Sequence, residues 1–171
     1  MKYLVISDIH GSYEYFMMAL EKYEKYNCDN IVILGDILYH GPRNDLPFGY
    51  NPKALVKKLN EYKDRIIAIL GNCDAEVDQM VLDFKLVKEN FLKVKNHLIL
   101  LTHGHHLDEI SYNDYIFYGH THVNKIENKK INIGSLSIPK DGYHTYAILN
   151  EEELVFYNLL NDEIIMKVVL E

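Results

Sequence analysis

Cysteine and arginine are scarce in this chain, and long apolar runs are missing. The two cysteines, Cys28 and Cys73, are too few for a disulfide framework, and nothing asks for an oxidising compartment. Arginine also occurs twice, at Arg43 and Arg65, and the formal net charge is -7, which argues against broad electrostatic adhesion to nucleic acid. A small phosphate-bearing partner stays open. No apolar stretch approaches the roughly 18 residues needed to span a membrane. The first residues, MKYLVISD, run straight into a strand-like segment without the charged and apolar regions of a secretory signal, so the expected compartment is the cytoplasm. Neither a G-x-S-x-G elbow nor an H-E-x-x-H pair is present, which leaves hydrolysis of carboxylic esters or amides without support.

What is there suits one compact domain spanning residues 1–171, long enough to bury about 70% of its unfolded surface. Apolar runs at 2–7, 31–34 and 66–70 read as strands buried on both faces. Between them lie helical patterns, one at 13–27 with Phe16, Leu20 and Tyr23 on one side, one opening at Asn51–Pro52 with Leu55, Leu59 and Tyr62. A short helix is expected at 76–84. From 92 onward the pattern turns strand-rich, with a hairpin at 92–95 and 97–102, then strands at 115–119, 123–127, 131–134, 145–149, 153–159 and 163–170. Repeated strand–helix units followed by a strand-rich half predict an α/β fold: a four-layer α/β/β/α sandwich with two packed mixed sheets. The tail at 145–171 would either shield the core or offer an edge for self-association.

Seven metal-ligand-type residues sit in five short patches, each just past a strand-like run: Asp8 and His10, Asp36, Asn72, His103, and His120 with His122. Four of the nine histidines fall in this set, although a lone Asp or His after a strand is usually a cap or turn residue. Convergence of all five patches points to a binuclear metal centre. Imidazole nitrogen with carboxylate or amide oxygen is the ligand menu of divalent first-row metals. Two such ions need a bridge, and Asp36, alone on its strand end, is the candidate. Asp8-x-His10 and His120-x-His122 place ligands two apart, which on extended loops would aim both side chains the same way. Paired dications would activate water as hydroxide and polarise phosphoryl oxygens.

The pattern D-x-H, GD, GN-x-D, H, GH-x-H resembles the calcineurin-like metallophosphoesterase superfamily over residues 8–122. GDILYHGPRNDLPFGYNP, GNCDAEVDQM, LTHGH, YGHTH and the segment Ser137–Lys140 look like the bacterial YfcE-type phosphodiesterases over most of the chain. That resemblance implies the metallophosphoesterase sandwich, hydrolysis of a small phosphodiester, and two divalent ions, Mn2+ first, with Zn2+, Fe2+, Ni2+ or Co2+ as alternatives. By position, Asp8, His10, Asp36 and His122 would hold one ion, and Asp36, Asn72, His103 and His120 the other. It also implies a catalytic set of Asp36, Asn72, Cys73, Asp74 and His103. Cys73 stands where many superfamily members have a histidine, and reads either as a weaker proton donor, as a packed thiol, or as a soft zinc ligand. Asp74 either orients its neighbours or caps the helix near Glu76. His40 and Arg43, in the long connection before Pro52, and His105 are candidate substrate contacts, with surface roles equally open. The competing class is a non-catalytic scaffold of the same fold that binds partner proteins, as a retromer subunit does; a complete ligand set speaks against it.

Overall fold

The computed structural model describes residues 1–171. Strand β1 (Tyr3–Ile6) leads into helix α1 (Tyr13–Lys25), β2 (Asn30–Ile33), helix α2 (Pro52–Glu61), β3 (Ile66–Ile69), the short helix α3 (Glu76–Val81) and β4 (Leu86–Val87). Then follow β5 (Glu89–Val94), β6 (His97–Thr102), β7 (Ile116–Tyr118), β8 (Asn124–Glu127), β9 (Lys130–Ile133), β10 (Thr145–Leu149), β11 (Glu153–Asn158) and β12 (Ile164–Val169). One sheet of seven strands runs β12-β11-β10-β1-β2-β3-β4, and one of five runs β5-β6-β7-β9-β8. Both mix parallel and antiparallel pairs. The expected elements are present with ends moved by a few residues; β4 was not anticipated, being two residues long with little pattern to read.

Alternation along the buried strands decides what packs where. Leu4 and Ile6 of β1, with Ile31 and Ile33 of β2, face Phe16 and Leu20 of α1 and Leu55 and Leu59 of α2. Tyr3, Val5, Val32 and Leu34 point the other way, onto Ile99, Leu101, Phe117 and Ile131 of the smaller sheet. Each fully buried Ile, Leu or Phe side chain contributes roughly 1.5–3 kcal/mol. On the far side of the smaller sheet the outer layer is thin. It is the segment 105–114, with a single 3-10 turn at Leu107–Glu109, held by the Tyr112 hydroxyl donating to the Leu98 carbonyl and by contact of the Tyr112 and Phe91 rings. The tail does shield the core, since β11 and β12 extend the large sheet and bury Leu154, Phe156 and Leu170 between the sheets.

Strands β1, β2 and β3 are parallel neighbours, so their carboxyl ends share one edge of the large sheet. Strands β6 and β7 are parallel too, and end over the same edge. The long connection 38–51 is strapped to the loop after β1: Gly11 N–H donates to Ile37 O, Tyr13 N–H to Gly49 O, Asn51 N–H to Gly11 O, and Ser12 Oγ to Phe48 O. It ends at the Asn51 cap, whose Oδ1 accepts from Ala54 N–H at 3.1 Å, with Pro52 as the first helical residue. Replacing Asn51 by alanine is expected to cost about 1 kcal/mol in denaturant unfolding while aspartate costs only a few tenths. Equal losses for both would show that this side chain is not the cap.

Candidate metal centre

All five patches occupy the loops that leave β1, β2, β3, β6 and β7 at the shared sheet edge, which brings residues more than a hundred positions apart into contact. His10 Nε2 lies 3.6 Å from Asp8 Oδ1 and 3.7 Å from Asp36 Oδ2. His122 Nε2 is 3.2 Å from Asp8 Oδ1, and His103 Nε2 is 3.4 Å from Asp36 Oδ2. Asn72 Oδ1 stands 2.9 Å from His103 Nε2. Metal-competent ligand atoms thus group as Asp8, His10 and His122, and as Asp8, Asp36 and His103, each set within 4.8 Å. A third group joins His10 and Asp36 to Cys73. His120 stands further out, its ring centroid 5.1 Å from that of His103, and its backbone N–H donates to Asp8 Oδ2 at 3.0 Å.

The backbone does not reach this arrangement as extended loops, contrary to expectation. Asp8, His10, Asp36, His120 and His122 all lie in the left-handed region, at φ 53°, 48°, 54°, 69° and 61°. Non-glycine residues held there cost on the order of 1 kcal/mol or more each and cluster at functional sites. Tight turns after β1, β2 and β7, rather than a two-residue extended period, aim those side chains inward. Glycine serves close approach as well: a Cβ on Gly71 would sit 2.1 Å from Asp36 Oδ1, and one on Gly119 would sit 1.9 Å from Ser7 Oγ and 2.5 Å from Asp8 Oδ2.

The hydrogen bonds settle which nitrogens are free. His10, His103 and His122 each turn Nδ1 to a backbone carbonyl, of Tyr39, Leu34 and Ile138 respectively, all at 2.7 Å. With Nδ1 donating, Nε2 is the atom each ring has left for a metal ion or a second proton, and those of His10 and His122 face each other at 3.1 Å. Asp8 Oδ1 is completely buried and has no hydrogen-bond donor. Such a set of ring nitrogens around one orphaned carboxylate oxygen suits a cation. Around it Ser7 Oγ donates to Asp8 Oδ2 at 2.6 Å, and Ser135 and Ser137 donate to the Asp8 carbonyl at 3.0 Å. Of these serines only Ser137, in the Ser137–Lys140 segment, stood out in the sequence; Ser7 and Ser135 did not.

Charges follow the same logic. Burial disfavours the Asp8 carboxylate, yet the adjacent rings of His10 and His122, with Nε2 at 3.6 and 3.2 Å from Oδ1, outweigh it and hold its pKa well below the usual range. Burial likewise opposes a charge on His103, but its bond to Asp36 and the charges of Asp8 and Asp36 hold the ring up to about 9. Its second proton therefore occupies a place suited to a metal ion. Burial, then the charge of Asp36, pushes the Cys73 thiol up to about 12. Burial and the neighbouring His103 push His120 and His105 down.

The remaining candidates divide. Asp74 spends its carboxylate on the backbone N–H groups of Asp36 (2.9 Å), Ile37 (2.7 Å) and Gly71 (2.7 Å), tying the ends of β2 and β3 together. It neither caps α3, where Asp78 accepts from Ala75 N–H, nor lines the cleft; its carboxylate is committed to backbone instead. The cleft over the cluster holds about 230 Å3 and shows His10, Asp36, Asn72, Cys73, His120 and His122, with Arg43, Asn44 and Lys140 along its exposed wall. Of the three candidate substrate contacts, Arg43 alone lines this cleft. His40 is not among the cleft residues; its ring lies against those of Tyr39 and Tyr50 instead, at 4.7 and 5.4 Å between centroids. His105 lines a separate hollow behind the cluster, 5.5 Å from the His103 ring. Lys140 was not anticipated as a second cation; it reaches the cleft because its N–H donates to the His122 carbonyl at 2.9 Å, a pairing no local pattern reveals.

A model of the calcineurin-like phosphoesterase superfamily domain matches residues 1–154. The chain is 41% identical to the phosphodiesterase YfcE of Escherichia coli, covering 99% of this chain and 98% of that one. A solved structure of Yfce, a phosphoesterase from E. coli, superposes with a TM-score of 0.92 at 39% identity, covering 100% of both chains. Vacuolar protein sorting 29 from Cryptosporidium parvum, at 14% identity and a TM-score of 0.64, covers 98% of this chain and 95% of itself and shares the fold alone. The chain therefore belongs to the calcineurin-like phosphoesterase superfamily, with a fold and a cluster of acidic and imidazole side chains that its five sequence patches foreshadow.

Proposed function

We propose that this protein is a dimetal phosphodiesterase, one domain over residues 1–171, acting on a small phosphodiester in the cytoplasm. The observation that carries the reading is the donorless, buried Asp8 Oδ1 among imidazole nitrogens whose other protons are already committed. The name of the 41%-identical relative supports the reaction class. No helix is long and apolar enough to cross a membrane. Asp8, His10, Asp36 and His122 would hold one divalent ion, and Asp36, Asn72, His103 and His120 the other, with Mn2+ first among candidates. Ions of that kind supply Lewis acidity, lowering the pKa of water and drawing charge from phosphoryl oxygens.

The chain's own groups do the rest. Asp36, with Oδ2 between His10 and His103, is the shared carboxylate. Its Oδ1 is held by Cys73 N–H at 2.8 Å, which fixes the carboxylate plane. The carbonyls of Tyr39, Leu34 and Ile138 orient three rings and keep their tautomers. Arg43 offers a planar fork for non-bridging phosphate oxygens and Lys140 a point charge on the same cleft. Cys73 keeps its proton in the metal-free protein, burial and the charge of Asp36 both holding the thiol neutral. Turnover after metal reconstitution, run across diesters and monoesters, tests the whole reading.

Asp36→Asn should lower turnover by about 10³-fold or more, because an amide cannot serve two dications as an anion. Near-normal turnover with two metals still bound, measured by elemental analysis, would rule out the shared role. Matched aryl substrates should show a higher kcat/KM for the diester, since both cleft cations are flexible and exposed and a monoester dianion needs fixed ones; a higher value for the monoester would refute this. Metal affinity should climb with pH. His103 is held up to about 9 and His10 is also raised: burial opposes their charge, but the nearby carboxylates prevail. Both rings must shed a proton to ligate, so between pH 6 and 9 affinity should rise by up to about tenfold per unit for each proton released. Calorimetry in buffers of different ionisation enthalpy reads that release directly; a flat profile would show that neither ring is displaced from its proton.

A further inference from the structure

Beside the cleft lies an apolar groove that this reading leaves without a role. It holds about 520 Å3 and is walled by Leu38, Tyr39, Tyr50, Val56, Val77 and Val81. Cys73 lines both the groove and the cleft, so the two cavities meet at one side chain. That meeting point is pinned to the centre, because Cys73 N–H donates to Asp36 Oδ1 at 2.8 Å. A free cysteine presents a small apolar surface there and no barrier of charge. The opposite wall is pinned too, since the Tyr39 carbonyl accepts the Nδ1 proton of His10 at 2.7 Å. Val77 and Val81, four apart on α3, leave 59% and 44% of their surface open, although they line a concavity. Concave apolar surface next to a polar reaction site is the form of a ligand subsite, whereas a two-fold self-interface needs a self-complementary patch.

We propose that this groove is a subsite for an apolar ester group of the substrate, an aryl ring or a medium alkyl chain, and that it selects such diesters over those of two small or polar alcohols. The inference rests on the phosphodiesterase reading of the adjoining cleft. A phosphate held over Asp36 carries an alcohol on each of two oxygens, and the passage over Cys73 leads one of them into the groove while Arg43 and Lys140 stay on the polar side. Val77 and Val81 then set affinity for that alcohol without touching the reacting atoms.

Competitive inhibition constants on the metal-loaded full chain test this, with bis(p-nitrophenyl) phosphate turnover as reporter and dimethyl, bis(2-hydroxyethyl) and diphenyl phosphate as probes. Diphenyl phosphate should bind the wild type about 30-fold more tightly than dimethyl phosphate, the scale for taking one ring out of water. The Val77→Asp/Val81→Asp variant should cut that ratio to about threefold or less and leave dimethyl phosphate unchanged. Val77→Leu/Val81→Leu should keep the preference, which separates loss of the apolar wall from misfolding. A wild type that binds the probes equally, or a preference that survives the aspartates, overturns the subsite. So does an unchanged ratio in an aspartate variant that sediments as a monomer where the wild type is a dimer, since the groove is then a self-interface. Failure of the reporter to turn over with any divalent metal instead removes the phosphodiesterase reading itself, and the subsite with it.

Discussion

One buried carboxylate organises this molecule. Asp8 is fully enclosed, keeps its negative charge against desolvation, and leaves Oδ1 without a donor. An isolated buried carboxylate would cost several kcal/mol, so the surrounding fold must supply compensation. Part comes from the Ser7 hydroxyl and His120 N–H on Oδ2. The ring nitrogens of His10 and His122 converge on Oδ1, and those are placed by loops on two different sheets. The packing of the sandwich is therefore also the assembly of the site: sliding one sheet against the other would part His122 from Asp8.

That coupling explains where strain is tolerated. Five of the proposed ligands sit in left-handed backbone, an unfavourable choice for any residue but glycine. Each is overdetermined from behind. Asp74 gathers three N–H groups at the ends of β2 and β3, and Ser135 and Ser137 grip the Asp8 carbonyl. Cross-strand bonds from Asp8 N–H to Gly35 O and from His10 N–H to Asp36 O continue the β1–β2 pairing beyond the strands themselves. Rigidity at the sheet edge thus offsets local strain, and the side chains arrive already aimed.

Around this fixed floor the walls differ in character. The polar wall carries Arg43, Asn44 and Lys140; the apolar wall runs over Cys73 toward Tyr39, Tyr50 and α3. The connection 38–51 contributes to both, and its straps to Gly11, Ser12 and Tyr13 hold it against the first turn of the site. Selectivity can vary along that connection and α3 while the ligand floor stays unchanged.

Residue chemistry and apolar runs were legible from the sequence because both are local. The seven ligand types, their place after strands, the Asn51–Pro52 helix start and the two-sheet α/β class all follow from side-chain identity and spacing. Tertiary structure alone decided the rest, for a physical reason common to every case: the determining contact joins distant segments. Lys140 enters the cleft through pairing with His122, and His40 stays out because two tyrosine rings hold it. Asp74 turned out to serve backbone N–H groups that its neighbours in sequence do not reveal. The left-handed turns, the thin layer over the smaller sheet and the meeting of two cavities at Cys73 likewise depend on how the sheets pack, which no residue spacing records.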